Sequence, residues 1–241
     1  MRRIETLAVV LAIVLVLSTT VYFVVPSLLT KPSPSVCSDG TYDPQTTFLT
    51  NDELGKPLYN LTYAQNGVQQ NGLYYSFTSN ALSWIKSNTP SSATFLNLWD
   101  YGKEITGCTG RTSVVSNPSA QFIALGFTKN VTERDSDQAV ADISTALYTT
   151  NVTLSQSIAS KYGANYVLVT TEDGGFKAPV YLQLLGLKST DYVTPSGEAF
   201  NAADWTSLGQ QTVIYKLLAG QTVIGLPQVY SDAYVKIFAV G

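Results

Sequence analysis

The chain has 241 residues, a formal net charge of −3 and only 13% charged residues, so its polar surface must consist mainly of uncharged side chains. Phosphate recognition needs clustered Lys and Arg, and no such cluster is present, so we expect no nucleic-acid partner. The absence of histidine excludes Ser-His-Asp and Cys-His catalysis and removes the commonest zinc ligand. We therefore predict no metal and no cofactor.

A membrane anchor is predicted at the start of the chain. Residues 7–25 form an uncharged apolar run, which as a helix would span roughly 28 Å, close to the hydrocarbon thickness of a bilayer. Arg2 and Arg3 precede this run, so the positive-inside rule places the N-terminus in the cytoplasm and the remaining chain outside the cell. The alternative is a cleaved signal peptide, whose apolar region is usually shorter, and either interpretation exports the domain. We predict a single-pass protein of the cell membrane.

Three parts follow along the chain. Residues 1–29 are predicted to be the cytoplasmic tip and the anchor, residues 30–70 a stalk and an irregular segment, and residues 71–241 a core domain. The stalk contains a proline-rich stretch at residues 31–35, and turn signals such as Asn66-Gly67 indicate the irregular segment.

Helical and strand patterns alternate in the core domain. Helices are predicted at 73–87, from Asp135 to about 147, at 154–161 and at 211–218, with a short helix after Gly102. Strands are predicted at 94–99, 111–116, 166–170 and 233–240. This alternation predicts an α/β fold with helices packed on a mixed sheet.

Cysteines and sequons agree with export. Cys37 and Cys108 are the only cysteines, and they are too far apart in sequence to form a CxxC-type motif. In an exported domain they favour a disulfide, which would contribute about 4 kcal/mol by chain entropy. The alternative is two buried thiols, and a mass measurement with and without reductant distinguishes the two. Asn60, Asn130 and Asn151 begin Asn-x-Thr glycosylation sequons, although a chain rich in Ser, Thr and Asn also contains this pattern by chance.

The most informative segment is the end of the strand predicted at 94–99. Trp99, Asp100, Tyr101 and Gly102 follow at its carboxyl end, which is where α/β sheets bind ligands. A carboxylate between two aromatic rings can accept a hydrogen bond from a hydroxyl group while the rings exclude water. The alternative is that Asp100 caps the following helix and that the rings pack in the core.

This segment resembles the WWDYG region of the oligosaccharyltransferase catalytic subunit, the enzyme of N-glycosylation, especially its archaeal form. Further segments that resemble this family follow in the same order along the chain: the helix with Trp84, the Asn-Thr-Pro break, Ile105, Arg111-Thr, and the segments at 163–169 and 213–218. The resemblance therefore covers roughly residues 71–241. It implies that Trp99 and Asp100 bind the Ser or Thr hydroxyl of an Asn-x-Ser/Thr acceptor, with Tyr101 and Gly102 shaping the turn. Leu98 replaces the family's first Trp, so one N–H donor is lost and the affinity is expected to fall.

Two further motifs of that family have partial counterparts. Asp173 and Lys177, with Leu182 or Leu184 beyond, resemble the motif whose apolar residue touches the Thr methyl group, although the Asp–Lys spacing is longer by one. The alternative is a glycine turn with a solvated lysine. The Asp135-x-Asp137 sequence resembles the family's metal motif by letters only, and a helix cap explains it better.

The resemblance implies a binding module and not a complete enzyme. In that family the metal-binding and catalytic carboxylates lie on a membrane domain of many spans, so we predict no catalytic residues in this chain. We expect an accessory or acceptor-peptide-binding role, with acceptor polypeptides or a full-length oligosaccharyltransferase as partners. The alternative is a structural cell-surface protein that keeps the fold without the peptide site and associates with surface-layer proteins. Autonomous glycosyl transfer would require another chain.

Overall fold

The computed structural model describes residues 45–116 and 135–241. These residues form an antiparallel three-stranded sheet, in the order β1-β2-β3, and a five-stranded mixed sheet, in the order β5-β4-β6-β8-β7. The strands are β1 Gln45–Asn51, β2 Pro57–Gln65, β3 Val68–Tyr75, β4 Thr94–Leu96, β5 Thr112–Ser113, β6 Tyr166–Thr170, β7 Gln228–Ser231 and β8 Val235–Ala239. The helices are α1 Ser79–Asn88, α2 Gly102–Thr109, α3 Asp135–Tyr148, α4 Val152–Lys161, α5 Ala178–Leu184 and α6 Val213–Leu218.

The mixed sheet separates two apolar cores. Strands β4, β5 and β6 are parallel, whereas β8 runs antiparallel to β6 and β7 antiparallel to β8. On β6, Val167 and Val169 face the core shared with α3, α4, α5 and α6, while Leu168 faces the core shared with α1, α2 and the three-stranded sheet. Because successive strand residues point to opposite faces, one apolar strand serves both cores. The predicted α/β architecture with a mixed sheet is confirmed.

The prediction of an irregular segment up to residue 70 is wrong from residue 45 onward. Strands β2 and β3 form a hairpin around Asn66 and Gly67, which both have positive φ (52° and 75°), as a type I′ turn requires. Tyr59, Leu61 and Tyr63 alternate inward along β2 and are buried. Strand β3 continues to Tyr75 and a 3-10 turn follows at Ser76–Thr78, so the helix predicted from residue 73 begins only at Ser79.

The other predicted elements are placed nearly as expected. Strand β6 matches the prediction at both ends, and α3, α4, α6 and β8 lie within two residues of it or within its bounds. The strand predicted at 94–99 ends at Leu96, because Trp99–Tyr101 form a 3-10 turn that leads into α2. The strand predicted at 111–116 pairs only at Thr112–Ser113. Helix α5 and strand β7 were not predicted.

Several predicted features lie outside the described residues: the anchor at 7–25, the stalk, Cys37, Asn130 and the side chains of Asp135 and Asp137. In the two described ranges, no helix is long and apolar enough to cross a membrane. Cys108 is buried on α2, and its bridge to Cys37 stays a prediction. Asn60 is exposed on β2, and exposed Asn151 caps α4 by accepting a hydrogen bond from the Leu154 N–H at 3.2 Å.

Candidate functional site

The Trp99–Gly102 turn lies at the carboxyl end of β4. Leu98 is 1% exposed and belongs to the core on the α3–α6 side, so the chain is fixed by packing just before the turn. Gly102 begins α2, and a Cβ atom there would lie 2.2 Å from the carbonyl oxygen of Val115, so only glycine fits. Tyr101 is fully buried, whereas Asp100 keeps 17% of its side chain exposed. The turn thus presents a carboxylate at the sheet edge.

A second segment approaches from β6. After Thr170 the chain makes a compact turn in which the Asp173 carboxylate accepts a hydrogen bond from the Thr170 N–H at 2.7 Å, and the carbonyl of Glu172 accepts from the N–H groups of Gly175 and Lys177. Lys177 immediately precedes α5. Because β4 and β6 are neighbouring parallel strands, their carboxyl ends meet at one sheet edge and bring the two segments together.

Lys177 is the centre of the resulting cluster. Its Nζ lies 2.8 Å from Glu172 Oε2, 2.8 Å from the Tyr101 hydroxyl and 3.7 Å from Asp100 Oδ2. The same nitrogen lies 4.4 Å from the Tyr101 ring centroid and 5.4 Å from that of Tyr75. A buried ammonium group needs this combination of carboxylates and aromatic faces to offset its lost hydration. We call Asp100, Tyr101, Glu172, Asp173 and Lys177 the Lys177 cluster. The alternative of a solvated lysine is wrong.

Burial and charge act in opposite directions on these groups. Burial alone would lower the pKa of Lys177, but Asp100, Tyr75 and Glu172 raise that pKa above its ordinary value, so the amine stays charged. Burial raises the pKa of Asp173 to about 7, even though the charge of Lys177 acts to lower it. Near neutral pH, Asp173 is therefore close to its titration midpoint and the lysine is fully ionised.

Asp100 is the part of the cluster that a ligand can reach. The hydroxyl of Tyr181, on α5, donates to Asp100 Oδ2 at 2.8 Å. A carboxylate offers about four acceptor positions, so this bond leaves capacity for a ligand hydroxyl. Trp99 is half-buried beside it and packs against the α3–α6 core. The alternative interpretation, in which Asp100 caps the following helix, is wrong, since the cap position of α2 is Tyr101 and makes no side-chain bond.

The structure brings together most of the residues that the sequence predicted. Asp100, Tyr101 and Lys177 are in contact, and Gly102 permits the turn. Leu182 and Leu184, expected to face a ligand methyl group, are instead buried in the core. The roles of Glu172 and Tyr181 were not predicted from the sequence. The available signals were that Glu172 follows the end of a buried strand and that Tyr181 lies four residues after Lys177, which is helical spacing. In the described ranges, no group of three or more His, Cys, Asp or Glu side chains is placed to hold a metal ion.

Comparison with known proteins gives a partial match. No family model matches the chain. The chain is 31% identical over 71 residues to the STT3B subunit of the dolichyl-diphosphooligosaccharide–protein glycosyltransferase of Oryza sativa subsp. japonica, a match that covers 30% of this chain and 10% of that subunit. The chain thus matches only about a tenth of the length of this relative.

Solved structures of oligosaccharyltransferases from Archaeoglobus fulgidus are also similar in part. The C-terminal globular domain of one has a TM-score of 0.48 and 18% identity, covering 67% of this chain and 95% of that domain. A second structure, tethered through a disulfide bond to an acceptor peptide containing the NVT sequon, has a TM-score of 0.46 and 18% identity, covering 64% of this chain and 23% of that protein. The chain is thus similar in part to the C-terminal globular domain of an archaeal oligosaccharyltransferase and, over 71 residues, to the rice subunit.

Proposed function

We propose that this chain holds acceptor polypeptides with Asn-x-Ser/Thr sequons, as an accessory module of protein N-glycosylation. The observation that carries the proposal is the partly exposed carboxylate of Asp100, which Lys177 and Tyr181 hold at the edge of the mixed sheet. The sequence match to a glycosyltransferase subunit supports this assignment.

Recognition would depend on the difference between a hydroxyl and a methyl group. The Ser or Thr hydroxyl of the peptide donates to the Asp100 carboxylate, and the half-buried ring of Trp99 limits the access of water. Lys177 acts on the peptide through Asp100, because its ammonium is already occupied by Glu172 and the Tyr101 hydroxyl. An alanine in place of the hydroxyl residue leaves the carboxylate without its ligand donor, which gives the site its selectivity.

Glycosyl transfer itself is assigned to a partner. The matched part of the chain corresponds to a tenth of the rice subunit, and the cluster described above is suited to binding and not to transfer. A full-length oligosaccharyltransferase is the partner that this proposal requires. The apolar run at residues 7–25 would hold the module at the outer face of the membrane beside that enzyme.

The test is a titration of the full-length chain with two fluorescent peptides that differ only in Asn-Val-Thr against Asn-Val-Ala. We expect the Thr peptide to bind about tenfold more tightly, as one hydrogen bond to a charged acceptor predicts. D100A should abolish the preference. D191A is the matched control, because Asp191 is an aspartate that is 54% exposed and lies outside the Lys177 cluster; this variant should keep the preference.

Equal binding of the two peptides by the wild-type chain would remove the acceptor-binding function. That result would favour the second candidate, a cell-surface protein that keeps the fold for structural reasons. The observation in favour of this candidate is Leu98, which lies in the core at the position of the family's first Trp. Recovery from native membranes with surface-layer proteins, and without the transferase, would then support the structural role.

A further inference from the structure

In the described part of the chain, the two side chains that contact the Asp100 carboxylate come from α5 and from the residue before it. Lys177 precedes α5 and Tyr181 lies one helical turn further, so both side chains project from the same face of this helix. The Lys177 Nζ and the Tyr181 hydroxyl both approach Oδ2 of Asp100, at 3.7 and 2.8 Å. Two groups from α5 thus converge on a single oxygen of a residue in the β4–α2 turn.

Tyr181 is itself held rigidly. Its side chain is 3% exposed, and its ring stacks on that of Tyr148 with the centroids 6.0 Å apart and the planes at 14°. The hydroxyl of Tyr148 donates to the carbonyl oxygen of Asp173 at 2.6 Å, which ties this ring to the turn that carries Lys177. The Tyr181 hydroxyl can therefore act as a fixed reference point for Asp100.

We infer that Tyr181 is a positioning residue, which holds Asp100 in one side-chain conformation so that Oδ2 is occupied and the other carboxylate oxygen is available to a ligand hydroxyl. This inference rests on the proposed function and adds a specificity-determining residue that does not itself touch the peptide. A partly exposed aspartate without such a tether would sample several rotamers. The ligand would then have to order the carboxylate on binding, which lowers the affinity.

The test compares Y181F with the wild-type full-length chain in two measurements. Three-bond NMR couplings across χ1 of Asp100 should report one rotamer in the wild type and rotamer averaging in Y181F. In the peptide titration, Y181F should lose most of the Thr-over-Ala preference, by about fivefold to tenfold, while the affinity for the Ala peptide stays unchanged. A role in stability alone would not change the two peptides differently.

Y162F is the matched control. The Tyr162 hydroxyl lies 2.8 Å from Asp142 Oδ2, so the variant removes a tyrosine–aspartate bond of the same length outside the Lys177 cluster. It should leave both the Asp100 couplings and the peptide preference as in the wild type.

The outcomes separate this inference from the proposed function. If the Asp100 couplings in Y181F still report a single rotamer, the positioning role is overturned. It is also overturned if the Asp100 rotamers average in Y181F while the Thr-over-Ala peptide preference stays intact. If the Asp100 rotamers average in Y181F but the wild type shows no preference between the two peptides, the acceptor-binding function is removed. The positioning of Asp100 by Tyr181 is then still supported. If Y181F does not fold, the hydroxyl proton resonance of Tyr181 is compared between the wild type and D100A, and an unchanged resonance overturns the inference.

Discussion

Replacing Asp173 by asparagine should flatten the dependence of folding stability on pH. Asp173 is fully buried, its Oδ2 accepts the Thr170 N–H, and within the described residues its Oδ1 is buried without a hydrogen-bond partner. Asparagine keeps the volume and the bond to Thr170, and it cannot ionise. The variant therefore mimics the protonated aspartic acid at every pH.

The magnitude follows from the pKa of Asp173, which burial raises from 3.8 to about 7 in the folded chain. The folded state binds this proton more tightly than the unfolded state, so the associated stability is fully present below the unfolded pKa and is lost as the pH rises through the folded pKa. At about 1.36 kcal/mol for each pH unit of the shift, the wild type should lose about 4 kcal/mol relative to D173N between about pH 4 and pH 8.

Urea unfolding at intervals over this pH range measures the effect, with the free energy of unfolding of D173N subtracted from that of the wild type at each pH. Glu104 and Asp52, whose pKa values are also raised by burial, are present in both chains and cancel in the difference. D191N, at an exposed aspartate, should reproduce the wild-type curve. A difference that stays constant with pH, or that rises instead of falling, would refute the reasoning.

Two further predictions concern the surroundings of the site. K177M should lower the free energy of unfolding by about 3–5 kcal/mol, because it leaves the buried carboxylate of Glu172 without its cation. K188M, at a lysine that is 76% exposed, should have little effect. Equal losses of stability for the two variants in urea unfolding would contradict this prediction. G102A should lower the free energy of unfolding by about 1–3 kcal/mol, since the added Cβ would lie 2.2 Å from a backbone oxygen. G197A is its control, because no atom lies within 4 Å of a Cβ at that position. Similar melting temperatures for the two variants would rule out the close approach at Gly102.

Local patterns in the sequence were sufficient for the fold class. Strand β6 is a short apolar run after Gly163, and α3 shows helical spacing of apolar residues after Asp135, so each could be identified from a few neighbouring residues. The β2–β3 hairpin also had local signals, in the Asn66-Gly67 turn and the alternation of tyrosines before it. Asn-Gly turns also occur in irregular segments, so these local signals alone do not distinguish a hairpin from a loop.

The site depended on information that no local pattern contains. The sequence identified Trp99, Asp100, Tyr101, Gly102 and Lys177 through their resemblance to known motifs, but it did not show that Asp100 and Lys177 are in contact. That contact exists because β4 and β6 are paired in parallel and end at the same edge of the sheet.

The tertiary structure alone showed that Glu172 belongs to the Lys177 cluster and that Tyr181 contacts Asp100 in it. Each contacts the Trp99–Gly102 turn across a long sequence separation, through bonds of 2.8 Å. The energy of a buried charge depends on which groups the fold places around it, and no sequence spacing specifies that arrangement. The sequence by itself therefore indicated which residues are candidates for binding a hydroxyl group, and the packing of α5 against the end of β4 decided how Asp100 is held.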